Sequence, residues 1–107
     1  MTFSVLLSAE ADRDLLELYR YVALNDAPEK AEQLLAAIEK EIVRLDAMPA
    51  RGHYPPELER IGVLEFQEVF FKPYRIIYEI SGRDVIAHCV LDGRRDMVDL
   101  LQERLLR

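Results

Sequence analysis

The sequence predicts an α+β domain: an N-terminal strand, an antiparallel helical hairpin packed on one face of a small, mainly antiparallel sheet, and a short C-terminal helix. Three observations carry this. Apolar residues recur at helical spacing in two successive segments of the first half, three β-rich runs follow one another in the second half, and a capped helical pattern closes the chain. At 107 residues the chain reads as one domain, residues 1–107. That length suffices to remove roughly two-thirds of the unfolded surface from water in a single core.

Residues 2–7 form a short strand, which Ser8, a favoured N-cap, stops. Ala11, Leu15, Leu18, Tyr19 and Val22 then make a helical stripe, and Asn25 is expected to close that helix in a left-handed conformation. Asp26-Ala27-Pro28-Glu29 has capping-box spacing with proline in the first turn. It opens a second helix whose stripe is Ala31, Leu34, Leu35, Ile38, Ile42 and Leu45, ending before Met48-Pro49. So short a link forces the two helices antiparallel. Residues 49–62 read as an ordered loop with a charged turn at Glu57-Leu58-Glu59-Arg60, followed by a strand over 65–71 with Pro73 at its boundary. Two further apolar runs flank Ser81-Gly82-Arg83-Asp84 and form an antiparallel hairpin. The first strand has no local partner and is expected beside a distant one. Asp96 caps a last helix over 97–106, with Asp99 in its first turn and Arg104 and Arg107 near its end, as the helix dipole favours.

Composition excludes several classes. The chain is 50% hydrophobic and 32% charged with 4 Gly and 5 Pro, which rules out disordered and repeat architectures. The apolar residues 1–7 are too few for a signal-peptide core and are followed by Glu10, Asp12 and Asp14, so the expected compartment is the cytoplasm, with no membrane partner. Cys89 has no partner for an internal disulfide and reads as a small core hydrophobe. His53 and His88 lie far apart without ligands at metal spacing, so neither a metal nor a cofactor is expected, and both read as packing or loop residues. The helical carboxylates read as solvated faces. The net charge of -6 argues against indiscriminate phosphate binding. Its distribution is uneven, with twelve acidic and six basic residues up to Glu59 and eight of each from Arg60 onward. Two different surfaces are implied.

A period of two places Tyr74, Ile76, Tyr78 and Ile80 on one face of the central hairpin and Arg75, Ile77 and Glu79 on the other. Only the first set looks like a core face, and Leu15, Leu18, Val22, Leu35, Ile38 and Ile42 of the helices are expected over it. Arg75 then projects from an open sheet surface, and Arg94 and Arg95 arrive just after the next strand, making a three-arginine recognition surface. The competing local reading pairs Arg75 with Glu79 or Glu68, and Arg94 and Arg95 with Asp92 and Asp96.

Leu7-Ser8 leading to Ala11 and Asp14-Leu15, then Arg51-Gly52, Tyr74-Arg75-Ile76-Ile77-Tyr78, and Val90-Leu91-Asp92-Gly93-Arg94-Arg95-Asp96 together resemble the ParE/RelE toxin superfamily of toxin-antitoxin modules, whose members are also labelled plasmid stabilisation proteins. The resemblance spans nearly the whole chain and implies that superfamily's fold. Its RelE-like branch cleaves mRNA in the ribosome, with two lysines, two arginines and a tyrosine on the active face. Here Arg75 and Arg95 match the arginines, but the lysine positions fall near Phe66 and Glu68 and the tyrosine near Leu101. Cleavage of that kind needs cations on the scissile phosphate and a group to move protons, and Glu68 would repel the phosphate. The ParE-like branch instead binds DNA gyrase and is held inactive in a hetero-oligomer by a ParD-like antitoxin. That branch is the expected one, with Arg75, Arg94 and Arg95 binding the target and with Leu15, Leu18, Val22, Leu35 and Ile38 receiving an amphipathic antitoxin segment in a groove between hairpin and sheet. The alternatives are the ribonuclease and a member that retains antitoxin binding alone.

Overall fold

The computed structural model describes residues 2–106. Met1, which begins the apolar N-terminal run, and Arg107, expected near the end of the last helix, lie outside them. Strand β1 (Ser4–Leu7) leads into helices α1 (Ala9–Asn25) and α2 (Pro28–Val43). Two 3-10 turns, Arg44–Asp46 and Pro49–Arg51, and the one-turn helix α3 (Pro56–Glu59) then lead to strands β2 (Phe66–Phe71), β3 (Tyr74–Ser81) and β4 (Asp84–Asp92), and helix α4 (Met97–Leu105) closes the chain.

The sheet order is β1-β4-β3-β2. The last three strands form an antiparallel meander, and β1 lies parallel to β4 with Ser4 opposite Asp84 and Leu7 opposite Ala87. The distant partner expected for the first strand is thus β4, reached after α1 and α2 have crossed the sheet. Gly82, at φ 61°, makes the two-residue turn between β3 and β4.

Helix ends follow the sequence only in part. Ser8 caps α1, its Oγ accepting from the Ala11 N–H at 3.0 Å. Asn25 does not adopt a left-handed conformation; it is the last residue of α1 and donates its side-chain amide to the Tyr21 carbonyl at 2.8 Å. The expected capping box is displaced by one residue. Ala27 is the N-cap of α2 with no side-chain bond, because Pro28 takes the first helical position, and Asp26 pairs instead with Lys30 at 3.3 Å. Asp96 occupies the N-cap position of α4 but makes no capping bond.

Two cores sandwich the sheet. Leu15, Ile38, Ile42 and Leu45 pack with Val69, Ile76, Tyr78, Val85, Ala87 and Val90, and Leu18, Leu34, Leu35, Tyr74 and Ile80 border them. Ile76 and Tyr78 are completely buried, as the period of two predicts. Val22 is half-buried and stands outside this cluster. The opposite face is not open. Leu58 of α3 and Met97 and Leu101 of α4 cover Phe66, Ile77, Cys89 and Leu91 there. A β-bulge makes this possible. Ile77 faces Cys89 but Tyr78 faces Ala87, so His88 is an extra residue in β4 and alternation slips by one. Val85 and Ala87 point to the helical hairpin, and beyond the bulge it is Val90 that does so, while Cys89 and Leu91 join the second core.

Candidate functional site

Arg75 shows the cost of reading one face as open. It is 9% exposed, and all three nitrogens of its guanidinium donate hydrogen bonds. Nε donates to Glu68 Oε1 at 2.6 Å and Nη2 to Glu68 Oε2 at 3.0 Å; Nη1 and Nη2 donate to the two Glu57 carboxylate oxygens at 2.8 and 2.7 Å. Chiefly the Glu57 hydrogen bond raises its pKa. The reading of Arg75 as part of an exposed three-arginine surface is therefore corrected: α3 brings Glu57 over it, and Gly93 lies against its stem so closely that a Cβ there would stand 2.8 Å from Arg75 Cδ. Of the local partners foreseen, Glu68 is the real one; Glu79 binds His88 at 2.9 Å.

Arg94 and Arg95 do come together. They stand on the rim of a cleft of about 410 Å³ between α1 and the ends of β3 and β4, with Leu18 and Tyr21 of α1 and Tyr74 of β3 among its lining. Their states differ. Arg94 is 75% exposed and folded back on Asp92, with Nε at 2.9 Å and Nη2 at 2.6 Å from its carboxylate oxygens. Those side-chain bonds, before any other cause, draw the Asp92 carboxyl down to about 2. Arg95 is exposed, and among the described residues its guanidinium joins no hydrogen bond or ion pair.

Asp14 is not a solvated helical carboxylate. Its side chain, 11% exposed, accepts the Val90 N–H at 3.0 Å and two bonds from Arg104 at 2.9 and 3.1 Å. The signal was present, because 11, 14, 15 and 18 form one i, i+3, i+4, i+7 stripe and Asp14 lies inside the apolar row.

Of the five residues expected to receive an antitoxin, Leu15 and Ile38 are corrected, while Leu18, Val22 and Leu35 are only half-buried. Ile38 is completely buried and Leu15 is 6% exposed, so helix and sheet have already closed the supposed groove over them. Leu35 is half-buried against the same core, whereas Leu18 lines the cleft. The apolar side chains that α1 leaves in solvent are Leu16, Tyr21 and Leu24, Tyr21 at the edge of the stripe beside Leu18 and Leu24 85% exposed.

The histidines, the cysteine and two of the tyrosines are held by structural contacts or burial. The histidines bind carboxylates, His53 to Glu68 and His88 to Glu79, each at 2.9 Å. Burial pushes the Cys89 thiol up to about 12 and raises the phenols of Tyr74 and Tyr78, so these groups stay protonated at neutral pH. Among the described residues no group of three or more His, Cys, Asp or Glu is placed to hold a metal ion, and no helix is long and apolar enough to cross a membrane.

A helical hairpin on a four-stranded sheet with β1 parallel to β4 is the fold of the ParE/RelE toxins. A chromosomal ParDE toxin-antitoxin system from P. aeruginosa contains a chain that superposes with a TM-score of 0.71 at 16% identity, over 82% of this chain and 92% of that one. The RelBE2 toxin-antitoxin complex from Mycobacterium tuberculosis gives 0.64 at 21% identity, over 86% and 92%. In sequence, residues 5–97 match the family described as ParE toxin of type II toxin-antitoxin system, parDE. Toxin ParE3 of Caulobacter vibrioides is 32% identical over 91 residues, which cover 85% of this chain and 87% of that protein. The chain belongs to the ParE toxin family.

Proposed function

We propose that this ParE-family toxin acts in the cytoplasm by binding DNA gyrase and that a cognate ParD-like antitoxin neutralises it in a hetero-oligomer, as the toxin of a module of the plasmid-stabilisation type. One observation supports binding over RNA cleavage. The face on which an RNA phosphate would have to lie is interior: Phe66 is 6% exposed, Glu68 and Leu101 are completely buried, and Arg75 is held between two carboxylates. A phosphate entering there meets the Glu68 carboxylate and an arginine already committed to Glu57 and Glu68.

Arg94 and Arg95, beside Tyr21 and Tyr74, supply the residue types that dominate protein interfaces, and they are the target-binding candidates that remain accessible. Antitoxin docking is proposed for the exposed Tyr21 and Leu24 together with Leu18, which a partner's apolar segment can cover without opening the core. The test sets supercoiling by purified gyrase beside mRNA integrity in cells expressing the toxin. Inhibited supercoiling with intact mRNA is expected; ribosome-dependent cleavage with unaffected gyrase would replace this reading with the ribonuclease.

A further inference from the structure

Strand β4 is longer than its neighbour β1. Pairing between them stops at Leu7 opposite Ala87, yet β4 runs on to Asp92, and the chain then turns through Arg94 and Arg95 into α4. The polar backbone of that extension is taken up by other groups. The Ser8 N–H donates to the Ala87 carbonyl at 3.0 Å, and the His88 carbonyl, at the bulge, receives Ser8 Oγ at 3.3 Å and Arg104 Nη2 at 3.4 Å. Val90 N–H goes to Asp14 Oδ2, and the same carboxylate grips Arg104 through both oxygens. Val90 lies two residues before Asp92, and Arg104 lies on the helix that begins at Met97. Glu10 of α1 adds a longer contact to Arg104 at 3.7 Å, and Asp14 fastens both the strand that enters the arginine loop and the helix that leaves it.

The loop is shaped internally by other bonds: Gly93 N–H to the Pro73 carbonyl at 2.8 Å, Arg94 N–H to Asp92 Oδ1 at 3.0 Å and Arg95 N–H to the Asp92 carbonyl at 3.2 Å. None of these relates it to α1, the opposite wall of the cleft. We propose that Asp14 is a positioning residue for target recognition: by holding Val90 and Arg104 on one carboxylate, it sets Arg94 and Arg95 against Leu18 and Tyr21 across the cleft. The proposal rests on the reading of those arginines as target-binding. A carboxylate suits the task because it offers about four acceptor sites and no donor, so it serves a backbone N–H and a forked guanidinium together. An amide has a single acceptor oxygen and turns an NH2 toward Arg104.

The experiment compares wild type, Asp14→Asn, Asp14→Ala and Arg104→Gln in the full chain. It reads amide exchange residue by residue, the thermal midpoint, and growth arrest on titrated expression normalised to folded protein. In Asp14→Ala, amides of Arg94, Arg95 and Met97 are expected to exchange at least tenfold faster while those of Ile76 and Tyr78 in β3 stay within twofold. Asp14→Asn and Arg104→Gln fall between. Growth arrest is expected to need about tenfold more folded protein. Where Asp14→Ala does not fold, the other two variants carry the comparison. Unchanged loop exchange overturns the proposal, and so does acceleration shared equally by β3, which marks Asp14 as a support of the whole fold. A loosened loop with undiminished growth arrest also overturns it. Wild type that arrests growth without inhibiting gyrase refutes the gyrase reading alone, and wild type that does not arrest growth refutes toxicity, while loop exchange still decides whether Asp14 fixes the loop.

Discussion

Arg75 and Glu68, on neighbouring strands, share two hydrogen bonds inside the protein, at 2.6 and 3.0 Å. Glu68 is completely buried, so truncating Arg75 leaves its carboxylate where water cannot reach it, with His53 at 2.9 Å as its remaining side-chain partner. Arg75→Ala is expected to remove about 3–5 kcal/mol of unfolding free energy in urea titration. Arg75→Met combined with Glu68→Leu and Glu57→Gln removes all three charges of the cluster and is expected to recover most of the loss. A single variant as stable as wild type would show the pair to be dispensable.

Glu57 holds the outer side of the same guanidinium. Its hydrogen bond to Arg75, outweighing burial, pulls its carboxyl below the ordinary 4.5. A carboxyl lowered on folding binds its proton more readily in the unfolded chain, so its stabilisation is complete above 4.5 and drains away as pH falls through the lowered value. Asp92, drawn to about 2 by Arg94, acts in the same direction at more acid pH, but solvent screening of so exposed a pair leaves its share small. Glu57→Gln is expected to lower the neutral thermal midpoint and to flatten its fall between about pH 5 and pH 3. An unchanged acid limb would mean that the Glu57 pair contributes nothing in solution.

The helical hairpin, the three consecutive strands and the hairpin-facing row Tyr74, Ile76, Tyr78 and Ile80 were legible in the sequence because each rests on local periodicity and on turns such as Gly82. What was not legible depends on long-range covering. Arg75 beside Glu79 makes one strand face look polar, and nothing in the period reveals that Glu57, on a turn eighteen residues away, neutralises it. The slip of alternation at His88 is equally silent, since the apolar run through Cys89, Val90 and Leu91 reads alike with or without a bulge. Leu15 and Ile38 were correctly read as apolar stripe residues but wrongly offered to a partner, because a stripe that packs so well leaves nothing to dock on. Asp14 stood within the stripe, and a carboxylate there was the one visible sign of the clamp.

Gly52 gives the Arg51-Gly52 motif its physical reason. A Cβ built there would lie 2.5 Å from the Glu68 carbonyl oxygen and 2.5 Å from the Tyr78 hydroxyl. The Gly52 N–H donates to that hydroxyl at 3.2 Å, and the next residue, His53, pairs with Glu68 through both backbone groups at 3.1 and 2.7 Å. Gly52→Ala must push this segment off the sheet edge, at a cost of about 1–3 kcal/mol. Chemical denaturation measures it, and a variant of wild-type stability would show that the segment can move freely.

Ile76, completely buried between the helical hairpin and the sheet, provides the plain core control. Ile76→Ala is expected to cost about 2–5 kcal/mol. A denaturation midpoint left in place would contradict the face assignment on which both cores depend.

Arg94 and Arg95 are adjacent in sequence and unequal in availability, and that inequality makes the sharpest functional test. Arg94 gives Nε, Nη2 and its backbone N–H to Asp92, so a target carboxylate must compete with one already in place. Arg95 has no such commitment among the described residues and faces the cleft at no comparable cost. Arg95→Ala is therefore expected to weaken gyrase inhibition by about thirtyfold or more, the scale of an interface hot spot, and Arg94→Ala by clearly less. Both side chains are exposed, so neither change should move the thermal midpoint appreciably. Asp92→Asn, which weakens Arg94's hold, should raise inhibition if Arg94 also reaches the target. Inhibition curves and melting curves on the same preparations decide the matter. Wild-type inhibition by a folded Arg94→Ala and Arg95→Ala double variant would remove this rim from the target interface, whereas lost inhibition with a depressed midpoint would show that the pair holds the loop together.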